Sequence, residues 1–172
     1  MSWSSPSAAV AALLLAAALA GCGFEPLNAP RSGQAVPTAL QAVQIANIPD
    51  RSGQFLRNYL RDEINPYGVP GHPRFRLDVV LAERRDDIGL RRDDVRTRTN
   101  IQIEAEYRLV ALTDGKVVLQ GRSRTMSSFN LLVNDYSNVV SEQEAREQAL
   151  RQIGGDIRTR LALYFRRTET AG

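Results

Sequence analysis

The sequence predicts an α+β fold: an antiparallel or mixed four-stranded sheet with two helices packed on one face, in the order β-α-β-β-β-α. Three observations carry this expectation. Apolar residues recur at helical spacing from Phe55 to Ile64 and again from Ala145 to Tyr164. Between those stretches the spacing changes to alternation, in three separate runs. Thr113-Asp114-Gly115-Lys116 then joins two of the runs, and Asp-Gly supplies the positive φ that a tight hairpin requires.

Taken in order, a short strand is expected over Ala42 to Ile48, and Pro49-Asp50-Arg51-Ser52 turns the chain with Asp50 or Ser52 as helix N-cap. Phe55, Leu56, Tyr59, Leu60 and Ile64 share one face of the helix that follows, which ends near Asn65 because Pro66 resists its continuation. Phe75, Leu77, Val79 and Leu81 alternate with Arg76, Asp78, Val80 and Ala82. Ile101, Ile103, Ala105, Tyr107 and Leu109 alternate with Gln102, Glu104, Glu106 and Arg108, and the last strand is expected over Lys116 to Arg122. Such alternation buries one sheet face and leaves the other polar. That polar face would carry Arg76, Asp78, Gln102, Glu104, Glu106, Arg108, Gln120 and Arg122. The closing helix is expected to open on a Ser141/Glu144 capping box. It would bury Ala145, Ala149, Ile153, Ile157, Leu161 and Tyr164, with a bend or a close helix–sheet approach at Gly154-Gly155.

The first residues set the class. Ala8 to Ala20 is an apolar run of about 13 residues, too short for a spanning helix of roughly 20 and matched to the core of an export signal. It ends in Leu19-Ala20-Gly21-Cys22, which resembles the bacterial lipobox: small residues fit a peptidase cleft, and the thiol takes up the lipid. Met1 to Ser7 departs from the usual signal in carrying no Lys or Arg. The organisation expected is a signal peptide over 1–21, a lipidated N-terminus and tether over 22–40, one α+β domain over 41–168, and a tail over 169–172. By resemblance to sorted lipoproteins, Gly23 after the cysteine favours the outer membrane.

Composition excludes several classes. Of the 172 residues, Cys22 is the single cysteine and lipidation would consume it, so neither a disulfide nor a Cys-based metal site is expected. The one histidine, His72, lies in the turn Val69-Pro70-Gly71-His72-Pro73, where a lone His builds no metal site and no Ser-His-Asp set. No Gly-rich phosphate loop is present, and the basic residues lack the aromatic platform of a nucleic-acid binder. Glu104 and Glu106 share a strand face and form the one conceivable acid–base pair, against the simpler reading of two solvated carboxylates. No catalytic residue, metal or cofactor is therefore expected. The formal net charge is +3, with Lys116 the only lysine. Arginine dominance reflects either genomic composition or phosphate contact, for which the planar guanidinium fork is suited. Arg84-Arg85-Asp86-Asp87-Ile88 recurs as Arg91-Arg92-Asp93-Asp94-Val95, either a self-paired hairpin end or a contact surface.

Several stretches in this order form a wider pattern: Gly21-Cys22-Gly23-Phe24 with Pro26-Leu27; Ile48-Pro49-Asp50-Arg51 leading into Phe55-Leu56-Arg57-Asn58; Phe75-Arg76-Leu77 through Arg91-Arg92-Asp93; Tyr107-Arg108-Leu109-Val110; and Ser127-Ser128-Phe129-Asn130 with the helix to Tyr164. The pattern covers nearly all of the chain after Cys22 and resembles the LptE family of lipopolysaccharide-assembly lipoproteins. Glu25 departs from it, where a basic or neutral polar residue is expected. The resemblance implies a non-enzymatic subunit, lipid-anchored on the periplasmic side of the outer membrane. It implies a covalent lipid on Cys22 (N-palmitoyl, S-diacylglycerol), partnership with an LptD-type β-barrel that the chain plugs and helps to fold, and binding of lipopolysaccharide. Arg122 and Arg124, read as lying near the sheet end, are the first candidates for lipopolysaccharide contact, and Arg91 and Arg92 the next. The plain alternative is that they are ordinary strand and loop arginines. A competing class is a periplasm-facing lipoprotein subunit of an inner-membrane lipid transport system.

Overall fold

The computed structural model describes residues 38–88, 98–130 and 134–170. The elements are α1 (Thr38–Gln41), β1 (Val43–Ile45), α2 (Asp50–Ile64), β2 (Phe75–Ile88), β3 (Arg98–Ala111), β4 (Val117–Asn130) and α3 (Asp135–Thr170). Apart from the single-turn α1, this is the expected order. The sheet runs β1-β2-β3-β4, with β1 parallel to β2 and the other two pairs antiparallel. The sheet is thus mixed, and both long helices lie on one face.

Alternation sets which face is buried. On β3, Ile101, Ile103, Ala105, Tyr107 and Leu109 are buried, and register places them beside Leu77 and Val79 of β2 and Leu119, Gly121 and Ser123 of β4. Leu56, Leu60 and Ile64 of α2 and Ala145, Ala149, Ile153, Ile157, Leu161 and Phe165 of α3 close the same core. Removing this much apolar surface from water is the main stabilising term of such a two-layer domain. In the expected stripes, Phe55, Tyr59 and Tyr164 are half-buried rather than buried, and Phe165 takes the deep position that Tyr164 was expected to fill. Phe165 meets Phe75 edge-on, 5.1 Å between centroids.

The Asp114-Gly115 turn forms as expected, with Gly115 at φ 71° and the Ala111 N–H donating to the Lys116 carbonyl at 2.9 Å. Four details differ. β1 is shorter than Ala42 to Ile48, because the chain turns away so that Ile48 packs on Gly53 of α2, where a Cβ would collide with it. Pro49, not Asp50 or Ser52, occupies the N-cap of α2. No side chain caps it, and the Ser52 hydroxyl turns to Glu83 instead. α3 begins at Asp135, six residues before Ser141, so Ser141 and Glu144 lie inside the helix. The Asn134 side-chain oxygen, accepting from the Tyr136 N–H at 3.0 Å, makes the cap. Gly154-Gly155 does not break α3. A Cβ on Gly154 would meet Tyr59 and Leu56, so the glycine permits a close helix–helix approach rather than a helix–sheet one.

Candidate functional site

The uncovered face of the sheet carries the even-numbered residues of β3 with their neighbours. All eight residues expected there, from Arg76 to Arg122, lie on it, since Arg76 pairs with Val110, Asp78 with Arg108, Glu104 with Arg124 and Glu106 with Arg122. The same alternation that buries Tyr107 and Ile103 thus turns these side chains outward.

Cross-strand ion pairs organise the face. Glu104 accepts from two arginines of β4, with Arg122 Nε at 2.7 Å and Arg124 Nη2 at 2.8 Å. Arg122 also donates to Glu106, and these carboxylates raise its already high pKa, the Glu106 hydrogen bond most of all. Both oxygens of Asp78 receive Arg76, at 2.9 and 3.1 Å. Arg108 lies opposite Asp78 and Gln120, yet Asp78 is already claimed by Arg76. Among the described residues, no ion pair is formed by Arg108. A shallow open depression lies at this point, lined by Glu106, Tyr107, Arg108, Gln120, Gly121 and Arg122.

This geometry changes two expectations. Arg122 and Arg124 do not lie near the sheet end: β4 continues to Asn130, so both sit in the middle of an edge strand. Glu104 and Glu106 do lie together, and both accept from arginines of β4. Cys22, Arg91 and Arg92 lie outside the described residues, as does the second half of the Arg-Arg-Asp-Asp echo. The first half folds within β2, with Arg84 on Asp86 and Arg85 on Asp87.

A second network, on the helix-covered face, was not legible in the sequence. Arg146 of α3 donates to Glu83 at 2.9 Å and to Glu142 at 2.7 Å, and Arg85 reaches Glu142 at 2.9 Å. Arg85 also holds Asp87, whose carboxyl is kept below its usual range first by the Thr99 hydroxyl and then by Arg85. Glu83 and Arg146 are 63 residues apart, so no local pattern announces the pair. Burial pushes the Tyr107 phenol upward, against the opposing influence of Arg160. No group of three or more His, Cys, Asp or Glu side chains is placed to hold a metal among the described residues. No helix among them is long and apolar enough to cross a membrane.

The domain closes one sheet face with its two long helices and leaves the other charge-paired. The chain belongs to the LptE lipopolysaccharide-assembly family, whose model matches residues 40–162. Two solved structures share the fold. A protein of Caulobacter crescentus CB15, provisionally described as a lipoprotein, matches with a TM-score of 0.63 at 18% identity, over 77% of this chain and 96% of its own. A minor lipoprotein of Acinetobacter baumannii matches with a TM-score of 0.58 at 12% identity, over 72% and 92%. No curated protein matches the chain.

Proposed function

We propose that the chain is the lipoprotein subunit of a lipopolysaccharide translocon. In this reading residues 1–21 are removed as a signal peptide, and Cys22 carries the N-palmitoyl and S-diacylglycerol lipid. The α+β domain stands on the periplasmic side of the outer membrane, where it plugs and helps to assemble an LptD-type β-barrel and binds lipopolysaccharide without catalysis. Family membership supports the assembly role, and the lipoprotein descriptions of the two fold neighbours fit the anchor.

The observation that carries the reading is the open face. A sheet face crossed by paired arginines and carboxylates stays wet or meets a polar wall, and barrel lumens of this class are polar. Its arginines keep most of their surface in solvent, 61% for Arg122 and 59% for Arg124, so their donors can reach a phosphorylated glycolipid. Arg122 and Arg124 are the first candidates for that contact, and Arg91 and Arg92 the next.

The test is metabolic labelling with palmitate followed by density separation of the membranes. Labelled protein in the outer-membrane fraction, with the label lost in Cys22→Ser, is the expected result. Labelled protein retained in the inner membrane would instead favour the lipid-transporter subunit. Absence of label with Cys22 intact would remove the anchor.

A further inference from the structure

A strand at the rim of a sheet leaves alternate backbone N–H and C=O groups without a strand partner. Such an edge templates another chain unless it is short, charged or covered. This sheet has two long edges, because β1 pairs with only Phe75 to Leu77 of β2. The two are built differently.

The β2 edge is guarded. Past Leu77, whose carbonyl accepts from the Ala46 N–H, it runs into five consecutive charged residues, Glu83 to Asp87. Ser52 of α2 and Arg146 of α3 both donate to Glu83, and Arg85 donates to Glu142 of α3. The β4 edge has no such guard. Val117 to Asn130 contains no Asp, Glu or Pro. Beyond the register shift at Leu109/Val110, its pairing with β3 is unbroken from Leu119 to Asn130, roughly 40 Å of strand. Among the described residues, no strand pairs with its outer side. Its two charged residues lean inward: Arg122 and Arg124 reach across to Glu104 and Glu106 of β3 through Nε and Nη2.

We infer that β4 takes up one more strand, an acidic extended segment of the barrel protein. The inference rests on the barrel partnership proposed above and names a contact within it. Charge selects the occupant. Arg98, Arg108, Arg122 and Arg124 stand against only Glu104 and Glu106 on the β3–β4 half of the open face, an excess of positive charge. A second copy of β4 would set arginines against arginines near the strand centre, where like charges repel. Carboxylates on an added strand would meet them instead, and main-chain hydrogen bonds would supply the rest of the contact. The strands of a closed barrel have no free edge, so the segment comes from one of the long loops that such barrels carry. It lies beside the arginines in the plane of the sheet and leaves the face above them to lipopolysaccharide.

Hydrogen exchange read by mass spectrometry, on the lipidated chain alone and in its isolated complex with the barrel protein, tests the inference. The expected result is protection in the complex of alternate amides of β4, about six from Leu119 onward, with residues 79–88 of β2 exchanging as in the free chain. Cys22 is the sole cysteine and is acylated in this reading, so Gln120→Cys and Met126→Cys each offer one thiol to a short photo-crosslinker. Both are expected to link to a single acidic segment of the barrel protein, at points about six residues apart. Unchanged exchange in β4 within an intact complex, or links to separate segments, would overturn the added strand while the barrel partnership stands. Protection already present in the isolated chain would also overturn it, assigning the edge to a second copy if it fades on dilution and to the chain itself if it does not. Recovery of no barrel protein would remove the partnership and this inference together.

Discussion

The phenol ring of Tyr107 fills the space that a side chain at position 121 would occupy, directly across the β3–β4 ladder. Tyr107 is only 2% exposed and cannot swing away, so glycine at 121 is a packing requirement as well as the floor of the surface depression. Gly121→Ala is expected to destabilise the fold by about 1–3 kcal/mol through overpacking, and Gly121→Val by more. Urea unfolding followed by circular dichroism measures both. A stability equal to that of the parent would mean that the ring is not fixed there.

The two adjacent glycines of α3 are expected to behave oppositely. A Cβ on Gly154 would stand 2.5 Å from Tyr59 Cδ1, whereas one on Gly155 would meet nothing within 4 Å. Gly155→Ala should therefore raise stability by about 0.5–1 kcal/mol through helix propensity. Gly154→Ala should lower it, since the crowding of α2 outweighs the same gain. Thermal unfolding of the pair provides the comparison, and equal shifts would contradict the helix–helix contact.

Asp87 supplies a pH signature. Its carboxyl is held below the ordinary 3.8, principally by the Thr99 hydroxyl at 2.7 Å. A depressed folded-state pKa stabilises the fold above the unfolded value, and that stabilisation is lost as pH falls through the folded one. Thr99→Val should raise the Asp87 pKa toward 3.8, visible by carboxyl-carbon NMR titration. The stability difference between parent and variant should narrow as the pH drops below that value.

The open-face arginines are expected to matter for binding more than for folding. Arg124→Ala leaves Glu104 paired with Arg122, and solvent screens the lost contact, so the unfolding midpoint should barely move. Arg122→Ala with Arg124→Ala should weaken lipopolysaccharide binding several-fold in a pull-down on immobilised lipopolysaccharide. Parent-like binding by a folded double variant would remove these two residues from the contact.

What could be read in the chain was whatever repeats locally. The period-2 runs around Leu77 and Ile103 placed both faces of the sheet, and Asp114-Gly115 placed the hairpin, because side-chain direction and turn φ are set by neighbouring residues. Element ends resisted reading. Ser141/Glu144 has the form of a capping box, but α3 extends past it to Asn134, whose single cap hydrogen bond carries no periodic mark. The length of β4 was hidden in the same way: its last residues, Ser127-Ser128-Phe129-Asn130, are polar except for Phe129, and only pairing with the far end of β3 makes them a strand. Of the site, the strand face was legible but its connectivity was not. Arg122 on Glu104 and Arg146 on Glu83 depend on register and on helix docking, which bring together residues 18 and 63 positions apart.

The central claim is partnership with an outer-membrane barrel, and isolation of the full-length chain from detergent-solubilised membranes tests it most directly. The account predicts that a large β-barrel protein, whose gel mobility changes on heating, is recovered with the chain in stable proportion. Recovery instead with an ATPase-containing complex of the inner membrane would contradict it.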